Sequence, residues 1–193
     1  MLRARGASGE RAVASAAVAK PTSENPSTRA ILLWLALAAV PSGLMLSTTA
    51  HLTTDIVAMP LIWAIPLGLY LLSFTIAFAD NRRLAFMFCL IAPSIVMLVG
   101  GLSLTGASNL PLMAGLASVV MLFVVAVALH ARLFELRPAP DRLTFFYLVM
   151  SAGGALGGVF AALVAPTLFD WGWEHPILVL AAAALLPPLA WFD

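Results

Sequence analysis

Charge is what this sequence has least of. Only 10% of its 193 residues are charged, against about a quarter in a soluble domain, and the net charge is +1. A chain so poor in charge cannot cover an ordinary globular surface. One so close to neutrality offers no basic face to nucleic acid, and none is expected as a partner. Cysteine is nearly missing too. Cys89 stands alone inside an apolar run, which excludes an intrachain disulfide and a multi-cysteine metal site. The patterns that carry catalysis are also absent: no nucleophile–base–acid set, no metal-ligand ladder and no phosphate loop. No catalytic residue, metal site or cofactor is therefore expected.

What the chain has in quantity is apolar sequence, 62% of residues, with a mean hydropathy of +1.02. It falls into six runs, residues 30–47, 57–79, 84–103, 111–130, 143–166 and 176–192. Each is near the ~20 residues needed to cross a bilayer core. Short links make neighbouring runs antiparallel. The expected fold is all-α, a polytopic membrane protein of about six transmembrane helices over residues 29–193, with the lipid bilayer as its first partner. Residues 1–28 are rich in Ala, Ser, Arg and Pro and carry no apolar stripe, so a disordered cytoplasmic tail is expected there. Their first apolar core comes too late for a secretory signal, and Glu10 and Glu24 do not suit a transit peptide.

Basic residues orient the runs. Arg3, Arg5, Arg11, Lys20 and Arg29 precede the first. Arg82 and Arg83 follow the second, and Arg132, Arg137 and Arg142 follow the fourth. The remaining loops hold no Lys or Arg, so all ten fall on one side, expected to be cytoplasmic together with both termini. Trp34, Trp171, Trp173 and Trp191 lie near run ends, where indoles anchor at the interface, while Trp63 lies deeper. Pro41, Pro60, Pro66, Pro93, Pro187 and Pro188 interrupt runs and can kink helices.

The fifth run contains two interleaved GxxxG pairs, Gly153 with Gly157 and Gly154 with Gly158. Glycine costs a helix roughly 1 kcal/mol against alanine. In a bilayer it permits close helix approach, so these four residues are expected to pack helices, within the chain or between two copies. They lack the spacing and the preceding strand of a dinucleotide loop.

Two polar stretches are expected on the side away from the arginines. Residues 47–55 read STTAHLTTD. If they are helical, His51 and Asp55 share a face and can hold a proton or a cation; otherwise Thr54 or Asp55 caps the next helix from a loop. Residues 167–175 bring Asp170, Glu174 and His175 beside Trp171 and Trp173. With Asp55 they give that side three carboxylates and no basic residue, a combination suited to an organic polycation. The candidate ligand-binding residues are His51, Thr54, Asp55, Trp63, Asp170 and Glu174. Between the second and third runs stands DNRR, residues 80–83, where Asp80 or Asn81 can cap a helix.

Residues 41–74 and 137–166 resemble the membrane portion of bacterial fused spermidine-synthase-like proteins, which join a major-facilitator-like membrane region to a cytoplasmic Rossmann-type domain similar to aminopropyltransferases. The likeness rests on His-x-x-Thr-Asp after the first run, Pro-Leu-x-Trp in the second, Arg-Pro-x-Pro, and the Phe-Tyr-Leu and Gly-Gly block. It picks out His51, Thr54, Asp55, Trp63, Arg137, Thr144 and Tyr147. After His130 the pattern has a small residue and then an acid; Ala131 fits, and Arg132 departs. The resemblance implies a major-facilitator-like half in the bacterial inner membrane, anchoring or handling a polyamine-like cationic solute. The Rossmann glycine loop and catalytic Asp of the relatives are absent from these residues, so aminopropyl transfer is a property of the relatives, and the chain is expected to be a truncated or split member. Two alternatives are an independent half-transporter forming a homodimer through the fifth helix, and a scaffold for a separately encoded synthase-like domain.

Overall fold

The computed structural model describes residues 25–55, 61–101, 111–169 and 173–186. Among these residues the chain is helical throughout and holds no strand. The expected tail over residues 1–28 falls largely outside them, and Pro60, Trp171, Pro187, Pro188 and Trp191 fall wholly outside.

Helix α1 (Thr28–Asp55) is the spine of the bundle. Ser27 opens it by accepting a hydrogen bond from the Ala30 amide, as an N-cap does. Its 28 residues span about 42 Å, more than the ~30 Å of a bilayer core. The helix does not stop at Ser47. Thr49 and Thr53 donate their hydroxyls to the carbonyls of Met45 and Thr49, one turn back. Hydroxyls bonded to their own helix need no loop to satisfy them. The STTAHLTTD segment is therefore the last turns of α1.

Five further helices complete the bundle. They are α2 (Ala64–Ala77), α3 (Arg83–Ile95), α4 (Pro111–Glu135), α5 (Leu143–Val159) and α6 (Glu174–Leu185). A π-turn at Val96–Gly100 prolongs α3; another at Phe160–Val164, followed by Ala165–Leu168, prolongs α5. Pro93 precedes the first π-turn and Pro166 follows the second. Proline lacks the amide that would close the ladder, and a widened turn is one way to absorb the fault. Pro66 lies in the first turn of the described α2, where no such bond is lost. Asn81 Oδ1 accepts from the Arg83 amide and so opens α3.

Contacts between helix ends show that all six alternate in direction. At one end Trp34 of α1 meets Phe146 of α5, and Arg82, just before α3, pairs with Glu135 at the close of α4. At the other, Ser47 of α1 meets His175 of α6, and Gly100 lies against Val179. Every described Lys or Arg, from Arg29 to Arg142, belongs to the first end. Four stretches are long and apolar enough to cross a membrane: Thr28–Thr53, Arg83–Gly100, Leu112–Glu135 and Pro140–Leu168. Helices α2 and α6, with 14 and 12 residues, are apolar but shorter.

The core runs along α1 and α4. Leu37, Leu44, Leu122, Val125, Leu129, Leu133 and Phe146 are almost wholly enclosed, while α3 and α5 turn Met97, Leu98, Leu148 and Leu163 outward. Trp34 departs from the expected interfacial role. It is buried, with its ring edge-to-face on Phe146 at 5.1 Å, because α5 covers that side of α1. Trp173 is 60% exposed.

The arginines also close helix ends. Arg82 donates to the carbonyls of Ala77 and Ala131 and to Glu135 at 3.0 Å, and its guanidinium lies 4.4 Å from the Phe134 ring centre. Arg132, which stands where the resemblance asks for an acid, donates to Leu185 O at 2.5 Å and Leu186 O at 3.3 Å. Those carbonyls lie at the end of α6, where a cation also meets the negative end of the helix dipole. Arg132→Ala is expected to cost about 1.5–3 kcal/mol and to speed amide exchange in the last turn of α6 while leaving α1 protected. Hydrogen-exchange mass spectrometry on the micelle-solubilised protein checks this.

Candidate functional site

Because α1 stays helical to Asp55, it carries His51 to the start of α6. The rings of His51 and His175 lie 6.4 Å apart, centre to centre, with 26° between their planes. Ser47, one turn before His51 and buried, lies 2.6 Å from His175 Nδ1. When the ring proton is on Nδ1, His175 donates to Ser47 and Nε2 keeps its lone pair. That Nε2 is enclosed and has no hydrogen-bond partner among the described residues. His175 precedes the apolar run from Pro176. Burial, and then the neighbouring His51, lower its pKa to about 4, so the imidazole is neutral at pH 7.

The candidate residues divide. His51 is brought to His175, and Glu174, immediately before His175, begins α6 at the same end. Asp55 ends α1 one turn beyond His51, so its backbone belongs to this end too; of Thr54 and Asp55 only the backbone is described. Asp170 lies outside the described residues. Trp63 stands just before α2 and is half exposed.

The four glycines serve α5. A Cβ on Gly153 would lie 2.6 Å from Leu35 O and 2.9 Å from the Ala38 methyl, and one on Gly157 would overlap the carbonyl of Ala39. Both sit where the backbones of α1 and α5 cross. Ser42 fixes the crossing by donating to Gly154 O at 2.8 Å. Gly154 and Gly158 look toward Tyr70 and Leu46 with room to spare.

One polar centre was not singled out from the sequence. His130, expected at the end of a helix, lies five residues inside α4 and is fully enclosed. Its Nδ1 is 2.8 Å from Ser73 Oγ, and its ring stacks on Phe74 at 3.7 Å, with Tyr70 edge-on at 5.4 Å. The signal was a histidine within an otherwise apolar run, and its misplacement came from setting the helix end too early. At the arginine end, a cavity of about 240 Å³ is lined by Arg82, Ala85, Phe86, Cys89 and Glu135, none of them a candidate residue.

Fold and site together define a class: an all-helical bundle with four helices long and apolar enough to cross a membrane, basic at one end and histidine-bearing at the other. No protein-family model, curated protein or solved structure matches the chain.

Proposed function

We propose that the chain is the membrane module of a spermidine-synthase-like system, and that it holds a polyamine-like cation at the end of the bundle remote from its arginines. On this reading the bundle crosses the bacterial inner membrane six times, as a major-facilitator-like half with both termini cytoplasmic. The shorter helices α2 and α6 reach about 21 and 18 Å as described. The apolar residues flanking them, 57–63 and 186–192, bring each run to the length a crossing needs. A separately encoded synthase-like domain would meet the arginine end.

The observation that carries the reading is the segregation of charge between the two ends. The described arginines all lie at one end, where Arg82 and Arg132 bond to helix-end carbonyls. The other end gathers His51, His175 and Glu174, with Asp55 by position, and its loops contain no basic residue. Such an end attracts cations and repels none. Nothing favours a homodimer through the fifth helix, because Gly153 and Gly157 are already taken by α1.

Spermidine at about 100 times its dissociation constant should stabilise the purified protein by about 2.7 kcal/mol, read as a rise in Tm. Asp55→Asn should abolish that rise while leaving the ligand-free Tm unchanged. A wild-type protein indifferent to spermidine ends the polyamine reading, and a full response in Asp55→Asn moves the site elsewhere.

A further inference from the structure

We propose that His51 and His175 bind a divalent transition-metal ion, with zinc the first candidate, between α1 and α6. Two imidazoles from different helices face each other across the end of the bundle, their ring centres 6.4 Å apart. With Zn–N near 2.0–2.1 Å, two rings on one ion have centres about 5–6.5 Å apart, depending on the angle at the metal. The observed separation is at the open end of that range; with 26° between the ring planes, side-chain rotation has to turn the two in-plane lone pairs toward one point.

Three further observations distinguish the pair from a chance ring contact. Ser47 holds His175 Nδ1 at 2.6 Å, the partner that fixes ring orientation in metal-bound histidine and leaves Nε2 as the ligand atom. Nε2 is enclosed without a hydrogen-bond partner among the described residues, a state that costs free energy until something occupies the lone pair. An acidic residue stands in register with the pair: Asp55 follows His51 by one turn of α1, a spacing that puts both positions on one helix face.

Among the described residues no three potential ligands are gathered into one group. The site is thus a two-histidine clamp whose other positions are open to water. Neutral imidazoles suit Zn²⁺, Co²⁺, Ni²⁺ and Cu²⁺ better than Mg²⁺ or Ca²⁺. This inference does not rest on the polyamine reading, since it is argued from the two imidazoles and is tested with metal ions alone. Zinc binding without a spermidine response leaves the metal site standing, and the reverse outcome removes it alone.

The test uses the full chain, purified without a polyhistidine tag, stripped with chelator and titrated with Co²⁺ and Zn²⁺. Wild type should take up one Co²⁺ per chain, give a visible ligand-field band, lose it to Zn²⁺, and melt higher with Zn²⁺ than with chelator. His51→Ala and His175→Ala should each weaken binding by at least about tenfold. Because His175→Ala also removes Ser47's partner, His51→Cys supplies an independent readout. It should retain Co²⁺ and add a thiolate charge-transfer band in the near ultraviolet, which a merely structural His51 would not yield. Absence of Co²⁺ and Zn²⁺ uptake by wild type overturns the proposal. So does unchanged uptake in His51→Ala, or a His51→Cys protein that binds Co²⁺ without the new band.

Discussion

Gly157→Ala is expected to leave almost no folded protein to purify, while Gly158→Ala, one residue along, should be recovered at wild-type yield. The contrast follows from what each new methyl would meet. At Gly157 it would overlap the carbonyl of Ala39, which is backbone and cannot rotate away. The two helices would have to move apart, and with them the Ser42 to Gly154 hydrogen bond and the seat of Leu178 against Gly43. Overpacking a core costs typically 1–3 kcal/mol, and where backbone meets backbone about 3 kcal/mol or more is expected. At Gly158 the nearest atom is the Leu46 side chain at 3.6 Å, an ordinary contact. Gly153→Ala belongs with Gly157→Ala, and Gly154→Ala with Gly158→Ala, its nearest atom being the Tyr70 hydroxyl at 3.9 Å. Size-exclusion profiles and thermal melts of the four variants check the pattern. Equal tolerance at all four positions would show that α5 does not cross α1 on the Gly153 and Gly157 row.

That pattern marks how far the residues could be read before the fold was known. Spacing alone showed that residues 143–166 hold two glycine rows for close packing, because a 3.6-residue period puts i and i+4 on one side. Which row met α1 depended on the rotation of α5 about its axis, and no local signal sets that. The helical class and the long apolar helices were legible for a similar reason: hydropathy is a property of each run by itself. Ends were harder. STTAHLTTD has the composition of a loop, yet Thr49 and Thr53 turn their hydroxyls back onto Met45 and Thr49 and so need no loop to satisfy them. The same early ending displaced His130. Trp34 looked like an interfacial anchor from its place near the start of a run, yet Phe146, over a hundred residues away in sequence, covers it. The meeting of His51 with His175 was equally out of reach, since it joins the two most distant helices of the chain. The last two failures have the same source: a contact between helices decided what a residue does.

The His130 environment leads to the second large effect. Ser73 has one hydroxyl proton, and its oxygen lies 2.6 Å from Tyr70 O in a turn of α2. If the proton goes there, Ser73 accepts from His130 Nδ1–H, and Nε2 is left with an unused lone pair in a fully enclosed place. His130→Ala removes a ring stacked on Phe74 and opens a cavity between α2 and α4, for a loss of about 2–4 kcal/mol. His130→Phe keeps the stack and the volume and removes both ring nitrogens. Ser73 retains its bond to Tyr70, so this variant should stay within about 1.5 kcal/mol of wild type. Ser73→Ala, which leaves Nδ1–H unpaired, should cost about 1–3 kcal/mol in the wild-type background but much less beside His130→Phe. Denaturant melts of the four proteins in mixed micelles give these differences. If His130→Phe is as damaging as His130→Ala, the stack is not what the bundle needs from this residue. Its imidazole nitrogens would then be doing work that an apolar ring cannot replace, as expected of an ionisable side chain kept inside a membrane for function.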